Sequence, residues 1–173
     1  MKIFGLAGWS GSGKTTLMVR LIPVLVARGV TLSTMKHAHH AFDIDRPGKD
    51  SYEHRAAGAT EVMISSNARW ALMHELRTAP EATVEELIAH MTPVDLLLIE
   101  GFKSHAHPKL EVHRPALGKP LLCTDDPHVV AIATDAPVPS VRLPHFDLND
   151  TDGIADFIVG HCGLKRPRIA SAG

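Results

Sequence analysis

The stretch Lys2-Ile3-Phe4-Gly5-Leu6-Ala7-Gly8-Trp9-Ser10-Gly11-Ser12-Gly13-Lys14-Thr15-Thr16 decides the fold. Its first six residues form a short apolar run of strand type. Gly8 to Thr15 then matches the pattern G-x-x-x-x-G-K-[ST] at every fixed position. An apolar, helix-like run from Leu17 to Ala27 follows at once. Strand, glycine loop and helix in that order are the setting in which this pattern builds a phosphate cradle. The glycines and serines let backbone N–H groups curl round an anion. The helix N-terminus adds roughly half an elementary charge. The candidate phosphate ligands are Gly8, Ser10, Gly11, Ser12, Gly13, Lys14, Thr15 and Thr16. Lys14 can reach the outer phosphate oxygens, and the Thr15 hydroxyl can bind Mg²⁺. A chance glycine-rich turn before a helix is the competing reading, and the correct flanking elements count against it.

Working outward, Thr15 to Arg28 reads as a helix closed by Gly29. Its apolar residues run nearly all the way round, which predicts burial, and Pro23 should bend it. Val30 to Lys36 reads as the next strand, reached by a right-handed parallel crossover. The run Leu96-Leu97-Leu98-Ile99 lacks alternation, so it predicts a strand buried on both faces, with Glu100 where it ends. Lys109 to His113 is a short extended piece. Lys119 to Thr124 and Val129 to Thr134 read as two further strands, with Val141 to Leu143 one more. Glu61 to Ser65 and Arg69 to Glu75 form a hairpin about Ser66-Asn67-Ala68. Asp50 or Ser51 starts a short helix ended by Gly58, Thr83 caps a helix from Val84 to Met91, and Asp150 or Thr151 caps the last through His161. The expected architecture is α/β: a P-loop NTPase three-layer sandwich with a mainly parallel central sheet and an added β-hairpin. One nucleotide-binding domain is expected over 1–164, followed by a flexible tail over 165–173.

Composition narrows the function. A length of 173 residues with 45% hydrophobic side chains suits one domain with a sizeable core. A net charge of −1 gives no global field for nucleic acid or an anionic membrane. The basic cluster Lys165-Arg166-Pro167-Arg168 falls in the tail and reads as a solvated end. Two cysteines without C-x-x-C indicate neither a disulfide scaffold nor structural zinc. With no leader-like or membrane-length apolar run, the expectation is a cytoplasmic protein without membrane or nucleic-acid partners.

The metal should draw a second oxygen from an acidic residue at the end of an apolar strand, and Glu100 stands there. Asp43 and Asp45 lie in the polar loop His37 to Asp50, after a strand end, where open α/β sheets bind ligands. Asp45 is a candidate for the metal and, with Lys14, for direct work on the phosphoryl group. Arg46, Lys49 and Arg55 could offset phosphate charge, and a solvated charged loop is the equal alternative. Twelve histidines, including His37, His39, His40, His105 and His107, form no metal motif and read as polar loop residues. The guanine-reading motif Asn-Lys-x-Asp is absent. Asp125 or Asp126, after the expected strand at Lys119 to Thr124, and Asp135, after the next, could each accept from a base. Asp125 is the nucleotide-binding candidate among them.

With these residues in view, the chain resembles the molybdopterin-guanine dinucleotide biosynthesis protein B (MobB) family. The matching stretches are Gly8 to Thr16; Phe42 to Ser51 with Ala57-Gly58-Ala59; Leu98-Ile99-Glu100-Gly101-Phe102-Lys103; and Leu110 to Arg114. The resemblance implies a homodimeric, GTP-binding protein of the dimerising P-loop class, with GTP and Mg²⁺ as cofactors. It implies an adapter acting with a molybdenum cofactor guanylyltransferase and hydrolysing GTP slowly, with molybdopterin a further candidate ligand. Ala38 and Ala41 depart from the acidic residues expected in many relatives. Two other readings share the loop: a small-molecule kinase or ligase of the dethiobiotin-synthetase type using ATP, and a purely structural nucleotide sensor.

Overall fold

The structure is a computed structural model, and it describes residues 1–38, 42–103 and 105–164. His39, His40 and the basic tail cluster, singled out above, lie outside the described residues. By internal contacts the chain divides into two compact units, Met1–His37 with the chain from Thr92 on, and Ala38–Met91.

The first unit is built on six strands: β1 (Lys2–Ala7), β2 (Leu32–Lys36), β5 (Leu96–Glu100), β6 (Lys109–His113), β7 (Val129–Thr134) and β8 (His145–Asp147). Their order is β2-β5-β1-β6-β7-β8, and every neighbouring pair is parallel. Helices α1 (Lys14–Ala27) and α4 (Thr151–His161) pack on one face. There Leu17, Leu21 and Leu25 meet Phe4, Leu6, Leu96 and Leu98, while Ile154 and Ile158 complete the core. Each such side chain, fully buried, contributes about 1.5–3 kcal/mol. Asp150 caps α4 by accepting from the Gly153 N–H at 2.9 Å. Among the described residues no helix is long and apolar enough to cross a membrane.

β5 is buried at all five residues, as its unbroken apolar run predicts. β6 is equally buried, although Lys-Leu-Glu-Val-His alternates like a strand with one wet face. Leu110 and Val112 enter the helix-side core. Lys109 and Glu111 are buried with their charges bonded. Lys109 Nζ donates to Lys103 O, His105 O and Asp126 Oδ2 at 2.7–2.8 Å. Glu111 accepts from the Leu122 and Cys123 N–H groups at 2.8 and 3.0 Å.

That last pair corrects the strand expected over 119–124. Leu122–Thr124 is a 3₁₀ turn. Glu111 takes two N–H groups a ladder would need, and Pro120 has none to offer. The strand expected at Val141 to Leu143 falls later, at His145–Asp147, beyond Pro144.

The second unit holds α2 (Asp50–Ala56), the antiparallel hairpin β3 (Glu61–Ser65) and β4 (Trp70–His74), and α3 (Val84–Ala89). Thr83 starts α3 with a reciprocal capping box to Glu86. The Thr83 N–H and hydroxyl both donate to Glu86 Oε2, at 2.8 and 2.9 Å, and hold its carboxyl below its ordinary range.

Candidate functional site

The glycine loop joins the C-terminal end of β1 to α1. β1 lies where the strand order turns, with β5 on one side and β6 on the other. Such an edge is where open α/β sheets bind ligands. Gly8 has φ +149°, and a Cβ there would sit 2.4 Å from Val112 O on β6. Only glycine lets the loop leave β1 this close to its neighbour. The Ser12 N–H donates to Trp9 O at 3.2 Å, and Gly13, left-handed at φ +99°, hands the chain to the helix. The Ser12 hydroxyl is buried without a hydrogen-bond partner among the described residues. Lys14 folds back over the loop and donates to Trp9 O at 3.0 Å. Burial pulls its pKa down, as do Lys103 and Lys36, against the opposing pull of Glu100.

Thr15 and Glu100 meet directly. Thr15 Oγ1 donates to Glu100 Oε1 at 2.7 Å, and Lys36 Nζ stands 3.7 Å from the same oxygen. The sheet register sets this up, because Glu100 lies level with Leu6 on one side and Lys36 on the other. The chain then turns sharply, with Gly101 at φ +96° and Phe102 at φ +45°. A Cβ on Gly101 would come within 2.9 Å of His37 Cβ, and the His37 and Phe102 rings pack tilted at 40° with centroids 4.6 Å apart. A non-glycine residue in the left-handed region beside such a carboxylate is a mark of functional loops.

On the other side of β1, Arg114 follows β6. Its Nε donates to Ser12 O at 3.0 Å, and Nη1 pairs with Asp135 Oδ2 at 2.5 Å. Trp9 anchors the loop's outer edge: its indole N–H donates to Pro120 O at 2.8 Å, and Lys103 Nζ lies 4.3 Å from the ring centre. Asp125 is exposed and follows the 3₁₀ turn rather than a strand. Asp126 is held by Lys109 and His128. Burial raises its carboxyl pKa, but these bonds outweigh it and leave the group below its ordinary range. Desolvation, and then the neighbouring Glu111 carboxylate, push the half-buried Cys123 thiol up to about 11, so it is a poor nucleophile.

Asp43 and Asp45 belong to the second unit, where both pair with Arg55 Nη2, at 2.8 and 2.7 Å. Asp45 Oδ2 is buried without a hydrogen-bond partner among the described residues. Arg55 also reaches Glu75 at 3.5 Å. Arg55, one of three basic residues that could offset phosphate charge, thus holds these carboxylates instead. His105 and His107 bond ring to ring at 2.8 Å. Among the described residues no three His, Cys, Asp or Glu side chains gather into a metal-holding group.

Sequence reasoning gave no role to Arg114, Lys109, Glu111 or Trp9. The signals for Arg114 were its place directly after the extended Lys109 to His113 segment and its position in the family-like stretch Leu110 to Arg114.

A parallel α/β sheet with this loop between β1 and α1, and an acid at the end of the neighbouring strand, defines the P-loop NTPase-like class. Residues 3–135 match the family model for molybdopterin guanine dinucleotide synthesis protein B, and the chain belongs to that family. It is similar to the molybdopterin-guanine dinucleotide biosynthesis adapter protein of Escherichia coli (strain K12), with 43% identity over 160 residues, 91% of each chain. The adapter protein of the same name from Haemophilus influenzae is 41% identical over 159 residues, 90% of this chain and 86% of that one. Among solved structures, a molybdopterin-guanine biosynthesis protein B superposes with a TM-score of 0.73 at 24% identity, over 92% of this chain and 99% of that one.

Proposed function

We propose that the chain is a GTP-binding adapter in molybdopterin-guanine dinucleotide biosynthesis. The pathway rests on family membership and on the adapter role stated in the relatives' names. The observation that carries nucleotide binding is the Thr15–Glu100 hydrogen bond beside the glycine loop. Two hard oxygens are already oriented toward each other, which suits Mg²⁺. The Ser12 hydroxyl, buried and unpartnered among the described residues, can donate inside the loop. On this reading Thr15 and Glu100 would hold the metal, which neutralises phosphate charge. Lys14 and the N–H groups over Ser10 to Thr16 would bind the phosphates. Asp45 is proposed to act near the outer phosphate and metal, and Asp125 remains a candidate for base contact. Hydrolysis is slow at most. The working form is a cytoplasmic homodimer that meets a guanylyltransferase, with molybdopterin as a candidate ligand. Residues 1–164 form the nucleotide-binding domain.

The test is calorimetric titration of GTP, GDP and ATP with Mg²⁺ against wild type, Lys14→Ala and Glu100→Ala. The expected result is GTP binding that weakens at least tenfold in Lys14→Ala. Unchanged GTP affinity in that variant would sink the assignment.

A further inference from the structure

We infer that Arg114 and Asp135 form the base-reading end of the site, with Asp135 accepting from guanine N1–H and N2–H while Arg114 locks it to the phosphate loop. The inference rests on the GTP reading above and says which residues choose the base.

Three observations converge. First, the strand order assigns the two ends of the nucleotide. Glu100 on β5 marks the metal side of β1, so the base must leave toward β6 and β7. The residues that follow those two strands are Arg114 and Asp135. The register pairs His113 with Thr134, which sets the next two residues side by side. Second, Arg114 is tied to the loop itself. Its Nε donates to Ser12 O, and a Cβ on Gly13 would lie only 3.6 Å from its guanidinium. Third, Asp135 is half-used. Oδ2 is taken by Arg114 Nη1, and Oδ1 has no hydrogen-bond partner among the described residues. An open cleft of about 520 Å³ starts at Thr134 and Asp135 and continues along Ala136, Pro137, Val138 and Phe146. Those side chains give a planar base apolar faces to lie against.

The chemistry selects guanine. A carboxylate oxygen accepts, and guanine presents two donors together, N1–H and the 2-amino group. Adenine presents an unprotonated N1 at that position, so the carboxylate meets lone pair with lone pair. A site built to accept hydrogen bonds rejects partners that cannot donate them more strongly than a site built on shape alone. Arg114 acts as a positioning residue. It fixes the rotamer of Asp135 and the Ser12–Gly13 end of the loop in one stroke, so base choice and phosphate binding share a bond.

The experiment titrates the full chain, with Mg²⁺, against GTP, inosine triphosphate, xanthosine triphosphate, ATP and inorganic tripolyphosphate. Wild type should prefer GTP over inosine triphosphate, which lacks the 2-amino group, and over ATP. Asp135→Asn should lose ten- to hundredfold in GTP affinity, gain xanthosine triphosphate, and keep most of its tripolyphosphate affinity. Arg114→Lys should weaken every triphosphate, tripolyphosphate included. An Asp135→Asn variant that still prefers GTP to xanthosine triphosphate would overturn the inference while leaving the GTP reading intact. So would an equal loss of GTP and tripolyphosphate, which would make the pair purely structural. A change of base preference in Asp125→Asn, with none in Asp135→Asn, would also overturn it. Wild-type protein that binds neither GTP nor tripolyphosphate would remove the phosphate-loop reading and this inference together.

Discussion

Thr15 and Glu100 stand 85 residues apart in sequence, yet the Thr15 hydroxyl donates to the Glu100 carboxylate at 2.7 Å. Glu100→Gln keeps an acceptor for Thr15 and removes the charge. The expected outcome is roughly tenfold weaker GTP binding in Mg²⁺, with little change when EDTA removes the metal. Paired titrations with and without Mg²⁺ measure this. A variant with the wild-type Mg²⁺ dependence would rule Glu100 out as a metal ligand.

Gly8 and Gly11 separate close approach from conformational freedom. Gly8→Ala drives a Cβ into Val112 O, a backbone atom with nowhere to go, and should destabilise by about 2–4 kcal/mol. Gly11 has φ +79° but meets only Leu117 Cδ2 at 3.8 Å, so Gly11→Ala should cost about 1 kcal/mol. Urea melts of both variants decide the matter, and equal losses would contradict the packing account.

Lys109 is 1% exposed and bonds two carbonyls and Asp126. Lys109→Met leaves Asp126 without its buried cation and releases the segment that follows β5. We expect a loss of about 3–5 kcal/mol. Lys109→Met combined with Asp126→Leu should recover part of it, because no half-buried charge is then stranded. A single variant as stable as wild type would show the pair to be energetically idle.

His107 gives a pH test. Burial, and then Lys109, depress its pKa from 6.5 to about 4. The unfolded chain therefore binds a proton between those values that the folded chain refuses. Stability should fall as pH drops from about 6.5 to about 4, by at most ~1.4 kcal/mol per pH unit from this group. His107→Asn should flatten that limb in melts taken at stepped pH. An unaltered slope would assign the acid sensitivity to other groups.

How far each feature could be read depends on how local its cause is. The β1 strand, glycine loop and α1 helix were legible because one short stretch contains every interaction that shapes them. β5 was legible because an unbroken apolar run has few other uses. β6 was only half legible. Its alternation suggests a wet face, and nothing local reveals that Lys109 would find Lys103, His105 and Asp126, or Glu111 the N–H groups of Leu122 and Cys123. The strand expected at 119–124 failed for the same reason, since the groups that break it belong to Glu111.

The sequence by itself determined the class of fold, the loop, and the acid at the end of an apolar strand. Those depend on spacing and periodicity, which survive without neighbours. Only the tertiary structure decided which side chains serve that loop. Parallel strands bring distant segments level with one another, and the register sets Thr15 against Glu100 and Arg114 against Asp135. Arg55 is the clearest instance. By type it was fit for phosphate, and by position it holds Asp43 and Asp45. A charged residue's partner is settled by what folding places within about 3 Å of it, and that distance is not written in sequence separation.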